Sequence, residues 1–89
     1  MTLKNLCRNL KKKGLDAQEV MLCNFNDAAD TFRAVMVYHD YEGLYPTDEA
    51  RKDYHTAMNY ARKNGFHAEE RGYCQATLIY EQNNASRIA

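Results

Sequence analysis

The sequence predicts a small α+β domain in the order α-β-β-α-β-β, with an antiparallel sheet of about four strands and two helices packed on one face. Two segments place apolar residues at helical spacing, and the other apolar segments alternate as strands do. Within each of the two pairs of strands the connection is a short turn, so each pair is antiparallel. With 89 residues the chain fits one domain. We expect that domain over residues 1–82, followed by a frayed tail over 83–89.

Residues 2–13 are predicted to form the first helix. The apolar side chains recur at the spacing of one helix face, at Leu3, Leu6, Cys7 and Leu10. The hydroxyl of Thr2 can cap the amino end. Three lysines, Lys11 to Lys13, suit the negative end of the helix dipole, and Gly14 can end the helix in a left-handed conformation.

Residues 18–25 and 31–39 are predicted to form a hairpin of two strands around a turn at residues 26–30, which is rich in Asn and Asp. In the second strand, Phe32 and Met36 point to one face, whereas Val35 and Val37 point to the other. Both faces are therefore apolar, and the sequence does not say which of them the helices cover. Since one apolar face would remain open, we expect a homodimer.

The second helix is predicted to begin after Thr47, an N-cap residue, and to end at the Asn64-Gly65 pair. Its apolar face consists of Ala50, Tyr54, Ala57, Met58 and Ala61. A short strand over 66–70 and a longer one over 73–81 follow, with Arg71-Gly72 as the turn between them.

Composition excludes several classes of protein. Twelve basic residues balance twelve acidic ones, which disfavours a globally basic nucleic-acid binder and an acidic nucleic-acid mimic. No stretch of the sequence is apolar for long enough to span a membrane, and no apolar segment of a signal peptide follows the basic amino end. We therefore expect a cytoplasmic protein.

The cysteines and histidines do not form a recognisable site in the sequence. Cys7, Cys23 and Cys74 are odd in number and lack zinc-site spacing, so we expect three small, mostly buried apolar residues and neither a disulfide, a metal nor another cofactor. The three histidines have no helical metal-site spacing, and the single serine lies in the tail. These observations favour a protein that is not an enzyme. A weaker alternative is a Cys-dependent enzyme in which Cys23 pairs with His39 or His67.

Tyrosines and acids are concentrated in residues 38–54, which hold four of the seven tyrosines. Tyr is enriched at protein interfaces, and acids beside it attract a basic partner. We expect the partner-binding residues to be Tyr38, Asp40, Tyr41, Glu42, Tyr45, Asp48 and Glu49. The favoured hypothesis is a small protein that binds another protein, as an accessory or inhibitor protein of phage or plasmid type would do, for example one that inhibits a host defence nuclease complex.

The amino-terminal helix supports an alternative hypothesis. Residues 1–13 include five basic residues and no acid. A continuous basic stripe runs along the predicted helix at Lys4, Arg8, Lys11 and Lys12. Such a stripe can contact phosphates, so the alternative function is nucleic-acid binding. The same stripe also fits an ordinary solvated helix face.

Overall fold

The computed structural model describes residues 1–42 and 45–88. The predicted order α-β-β-α-β-β is confirmed, with a short extra hairpin and a final 3-10 helix. The helices are α1 (Leu3–Lys12) and α2 (Asp48–Lys63), and the strands are β1 (Asp16–Asn24), β2 (Asp27–Tyr38), β3 (Tyr41–Glu42), β4 (Tyr45–Pro46), β5 (Phe66–Arg71) and β6 (Ala76–Glu81). The 3-10 helix covers Gln82–Arg87. Four strands form one antiparallel sheet in the order β1-β2-β6-β5, and β3 pairs with β4.

Both helices begin at the predicted caps. The Thr2 hydroxyl oxygen accepts a hydrogen bond from the Asn5 backbone N–H at 3.1 Å, and that of Thr47 accepts one from the Ala50 N–H at 3.0 Å. After α1, Gly14 has a φ of +86°, which glycine adopts without strain. Within the described residues, neither helix has the length and apolar character needed to cross a lipid bilayer.

The main core lies between the helices and one face of the sheet. Helix α1 lies over β1 and β2, and α2 lies over β5 and β6. Val35 and Val37 point into this core, which settles which apolar face the helices cover. The helices contribute buried side chains from Leu6, Cys7, Leu10, Ala57, Met58 and Ala61, while Leu3 and Tyr54 are partly buried beside them.

The opposite sheet face has a smaller core of its own. Phe32, Ala34, Leu78 and Tyr80 are buried there, and the Phe32 and Tyr80 rings meet edge to face with their centroids 6.1 Å apart. Partly buried apolar side chains surround them, from Val20, Leu22, Met36 and Ile88. Because Tyr80 is only 2% exposed within a single chain, the centre of this face is not an open apolar surface. The homodimer stays a prediction, without the wholly uncovered face on which it was based.

The sequence predicts a frayed tail over 83–89, and the structure describes this segment as far as Ile88. Residues 82–87 form the 3-10 helix, and Ile88 packs against the second core. Arg87 anchors the segment: its Nε lies 3.2 Å from Asp30 Oδ2, and its guanidinium lies 5.7 Å from the centre of the Phe32 ring. The Arg87 carbonyl also accepts a hydrogen bond from the Phe25 N–H at 2.9 Å. These contacts are tertiary, and a 3-10 helix this short has no sequence periodicity to reveal it.

The first hairpin is tighter than predicted. Instead of a turn over 26–30, strand pairing continues to Asn24 opposite Asp27, which leaves only Phe25 and Asn26 between the strands. The Asn24 side-chain oxygen accepts a hydrogen bond from the Asn26 N–H at 2.9 Å, and Asp27 Oδ1 accepts one from the Ala29 N–H at 3.1 Å. The polar residues therefore stabilise the backbone locally without forming a long loop.

The cysteines are also less buried than expected. Cys7 is buried on the inner face of α1, Cys23 is exposed on β1, and Cys74 is half-buried in the turn between β5 and β6. Only Cys7 therefore behaves as the small buried residue that the sequence predicted for all three.

Candidate partner-binding site

A cleft of about 650 Å³ lies between two segments that are distant in sequence. One wall comes from β4 and the first turns of α2, and the other comes from the end of β5 and the turn that leads to β6. We call it the tyrosine cleft. Its lining consists of Tyr45, Pro46, Arg51, Glu70, Gly72, Tyr73, Cys74 and Gln75.

Backbone pairing brings the two walls together. Tyr38, the last residue of β2, lies opposite Ala76, the first residue of β6. One residue further on, the His39 N–H donates a hydrogen bond to the Gln75 carbonyl at 2.8 Å. The chain that leaves β2 is therefore held against the β5–β6 turn before it enters the short β3–β4 hairpin.

The β5–β6 turn has an unusual backbone. Gly72, Tyr73 and Cys74 have φ values of +60°, +52° and +66°, so three successive residues are left-handed. For a residue with a Cβ this conformation costs about 1–2 kcal/mol. The Gln75 N–H closes the turn by donating to the Gly72 carbonyl at 3.1 Å. Strained backbone of this kind is concentrated at functional sites, so Tyr73 is a candidate functional residue.

Two tyrosines project from opposite walls of the cleft. Tyr45 is 74% exposed and Tyr73 is 81% exposed, so most of each side chain is available to a partner. A tyrosine side chain offers a large apolar surface with a polar tip and loses little conformational entropy when it is fixed. The two rings are therefore suited to be interface anchors.

Charged groups line the cleft or lie on the segments that lead into it. Arg51 and Glu70 line the cleft itself. Asp48 and Glu49 are exposed in the first turn of α2, where they also complement the positive end of the helix dipole. Asp40 is exposed just after β2.

The thiol in the cleft is held in its protonated form. The Cys74 thiol donates to Glu70 Oε2 at 3.5 Å. Burial and then the Glu70 carboxylate raise the pKa of Cys74, and Arg51 offsets this only in part. Because the nucleophilic form of cysteine is the thiolate, this environment opposes nucleophilic chemistry at Cys74.

A buried polar pair lies near the cleft. The His39 Nε2 atom lies 2.7 Å from Thr77 Oγ1, and the Tyr54 ring meets the imidazole edge to face at a centroid distance of 6.2 Å. Burial lowers the pKa of His39, and Asp53 opposes this effect without cancelling it. His39 is therefore neutral near pH 7 and serves as a packed, hydrogen-bonded core residue.

The structure does not bring together the Cys-His pairs that the sequence left open. Cys23 lies opposite Thr31, eight positions along β2 from His39, which corresponds to roughly 26 Å of extended chain. His67 lies on the sheet face that the helices do not cover, where its ring stacks on the Tyr80 ring with the centroids 4.7 Å apart. In the described part of the chain no group of three or more His, Cys, Asp or Glu residues could hold a metal ion.

Of the residues predicted to bind a partner, Tyr45 lines the cleft, whereas Tyr38, Asp40, Asp48 and Glu49 are exposed but do not line it. Tyr38 is exposed on the second sheet face at the end of β2. Tyr41 and Glu42 form β3, and the prediction made for their side chains falls outside what the structure describes, as do residues 43 and 44 of the predicted loop. Sequence analysis missed Arg51 and Tyr73. The sequence placed Tyr73 at the start of a strand over 73–81, whereas β6 begins only at Ala76 and Tyr73 lies in the turn before it. No local pattern shows that this turn lies against β4.

The basic stripe lies elsewhere on the molecule. Lys4, Arg8, Lys11 and Lys12 are all exposed along α1, so the structure keeps the four predicted nucleic-acid contacts on one helix. None of them lines the tyrosine cleft.

Comparisons of the chain with known protein families, curated proteins and solved structures found no match. The candidate site therefore depends on its own geometry and chemistry.

Proposed function

We propose that this chain is a non-enzymatic binding protein that recognises another protein through the tyrosine cleft. The observation that supports the proposal most directly is that Tyr45 and Tyr73, from separate segments, lie largely exposed on opposite walls of one cleft. An exposed aromatic pair around a depression is the arrangement that interface anchors adopt.

The shape of the cleft favours a protein partner over a small molecule. Small-molecule sites bury most of the ligand surface. Here both tyrosine walls are themselves exposed, so the cleft would enclose only part of a ligand but could receive one or two side chains of a protein surface. The hydrogen bond from His39 to Gln75 holds the walls in place before binding, which lowers the entropy lost on association.

The surrounding charge favours a basic partner. Glu70 lies within the cleft. Asp48 and Glu49 are exposed two and three residues after Pro46 of the cleft lining. Asp40 is exposed directly after His39, whose N–H binds Gln75 of the lining. An arginine or lysine of the partner could stack on a tyrosine ring and approach these carboxylates at the same time. Arg51 would then set the orientation of the partner, because it repels a second basic group of the partner on its own side of the cleft.

An inhibitor or accessory protein of phage or plasmid type, such as one directed at a host defence nuclease complex, remains the specific role that we propose. A small domain with a preformed surface can block a partner without chemistry of its own, since binding alone covers the partner's site. The composition and size that led to this hypothesis are compatible with the cleft.

Capture of partners from a host lysate, followed by affinity measurement with the captured protein, tests the proposal. Tyr45→Ala and Tyr73→Ala should each weaken binding by about tenfold or more, as expected for an interface anchor. Phe25→Ala is the matched control, because Phe25 is also 74% exposed but lies at the tip of the β1–β2 hairpin. Equal binding by all three variants would contradict the proposed site.

Nucleic-acid binding through Lys4, Arg8, Lys11 and Lys12 is the second candidate function, favoured by their common exposure on α1. Retention on heparin that is lost at moderate salt, and weaker retention when these residues are changed to Gln, would support it.

A further inference from the structure

The two edges of the main sheet differ in how well they are protected. Strand β5 is short and ends in the charged run Glu69, Glu70 and Arg71, as protected edges often do. Strand β1 is nine residues long, has no proline or lysine, and is uncharged from Val20 to Cys23. An edge of this kind leaves backbone N–H and C=O groups able to pair with another extended chain.

The basic stripe of α1 lies above this β1 edge. The Asn9 side chain donates to the Tyr60 hydroxyl at 3.0 Å, and the Lys13 ammonium lies 4.7 Å from the centre of the Tyr60 ring, so this side of α1 faces α2. Helical periodicity places Lys4, Arg8 and Lys11 on the opposite side. That side faces away from α2, toward the β1 side of the sheet, because α1 lies over β1 and β2 whereas α2 lies over β5 and β6. Lys4 also lines a depression together with Glu19 of β1 and Arg33 of β2.

The electrostatics of Cys7 agree with this placement. Burial raises the pKa of the Cys7 thiol, and the next largest effects come from Lys11, which lowers it, and from Glu19 of β1, which raises it. Lys11 and Glu19 therefore act on the same buried group, one from the helix and one from the edge strand.

We propose that the free edge of β1 binds an acidic peptide segment in extended conformation, which adds a strand to the sheet while its carboxylates contact Lys4, Arg8 and Lys11. Main-chain hydrogen bonds to β1 supply the affinity in this mode of recognition, and alternate side chains supply the specificity. The surface is separate from the tyrosine cleft, so the proposal does not depend on the function proposed above.

The register of β1 specifies which side chains the peptide needs. Ala17, Glu19 and Met21 point to the helix side, since their partners include the core residues Val37 and Val35. Glu19 repels an acid placed directly opposite it, so acids are favoured opposite Ala17 and Met21. On the other face, apolar peptide side chains would contact the half-buried Val20 and Leu22.

Charge repulsion makes a second copy of this chain a weaker partner for the β1 edge than an acidic peptide. Antiparallel pairing of two β1 strands would place both α1 helices on the same side of the joined sheet. Their basic stripes would then face each other, and like charges at short distance are unfavourable. A partner with acidic side chains removes this repulsion.

Amide chemical shifts of the whole chain, titrated with a synthetic peptide as long as β1, test the proposal. The peptide alternates Val with Asp, except that Thr replaces the Asp that would lie opposite Glu19. We expect shifts confined to β1 and α1. Lys4→Gln combined with Lys11→Gln should weaken binding about fivefold, which corresponds to the loss of two exposed ion pairs. Lys52→Gln combined with Lys63→Gln is the matched control on α2 and should change the affinity by less than about twofold.

Two alternately N-methylated isomers of the peptide test for strand pairing, because each one blocks a different edge of the peptide. We expect only one isomer to bind. Equal binding of both isomers, equal binding of a peptide that alternates Lys and Val, or no binding at all would overturn the proposal. So would duplex DNA that shifts α1 amides, leaves β1 unchanged and competes with the peptide, since that result would assign the stripe to nucleic acid.

Discussion

The His39 Nε2 atom lies 2.7 Å from the Thr77 hydroxyl, and this hydrogen bond joins the end of β2 to β6 inside the protein. His39 is 8% exposed, and within the described residues its Nδ1 atom is buried without a hydrogen-bond partner. Charging this ring would place a cation in a largely desolvated position that only Asp53 favours. The stability of the fold therefore depends on the protonation state of His39.

The first prediction is a loss of stability in mild acid. Because burial lowers the pKa of His39 in the folded state, the unfolded state binds more protons as the pH falls through its own value near 6.5. The stability contributed by neutral His39 is thus present above that pH and decreases below it. Melting temperature should fall between pH 7 and pH 5, and His39→Gln should reduce this slope. His55→Gln, on the exposed side of α2, should leave it unchanged. An identical slope in all three proteins would contradict this role of His39.

The second prediction separates stability from binding at Tyr73. Tyr73→Gly should raise the free energy of unfolding by about 0.5–1 kcal/mol, because glycine removes the left-handed strain and its own entropic cost offsets only part of the gain. The same variant should bind the captured partner more weakly.

Tyr73→Ala is the control for that pair of effects, since it removes the ring but keeps a Cβ in the strained backbone. It should weaken binding without the gain in stability. Urea denaturation and affinity measurements on both variants decide the matter. If Tyr73→Gly binds as well as the unmodified protein, Tyr73 is not an anchor.

The third prediction concerns the helix-facing core. Met58 is buried between α2 and the sheet, so Met58→Asp should cost several kcal/mol, a large part of the roughly 5–15 kcal/mol typical of a folded domain. We expect this variant to be unfolded by circular dichroism. Asn59→Asp adds the same charge one residue later at an exposed position and should remain folded. A folded Met58→Asp protein would contradict the assignment of this helix face.

The fourth prediction concerns the carboxyl-terminal 3-10 helix. Arg87→Ala combined with Ile88→Ala should destabilise the protein by about 2 kcal/mol, through lost apolar burial on the second core and the lost ion pair to Asp30. Ser86→Ala, at an exposed position in the same helix, should have little effect. Equal stability of the two variants in urea would mean that the tail is frayed, as the sequence alone predicted.

Much of the fold could be predicted because its signals are local. Thr2 and Thr47 each cap a helix whose apolar face repeats at helical spacing, and alternating residues identify β2 and β6. Each of these features depends on residues that are close together in the sequence. The concentration of tyrosines and acids over residues 38–54 also singled out Tyr45, which is 74% exposed.

What the sequence by itself determined is therefore the order of the elements, their caps and the apolar residues available to a core. Tertiary structure decided which of two apolar sheet faces the helices cover, because Phe32 and Val35 are equally suited to burial until other segments compete for them. It also decided that Arg87 packs on Phe32, that Tyr73 lies across a cleft from Tyr45, and that the basic side of α1 lies above a free strand edge. The first two relationships join residues far apart in the chain, and all three depend on burial and contacts that exist only after the sheet has formed.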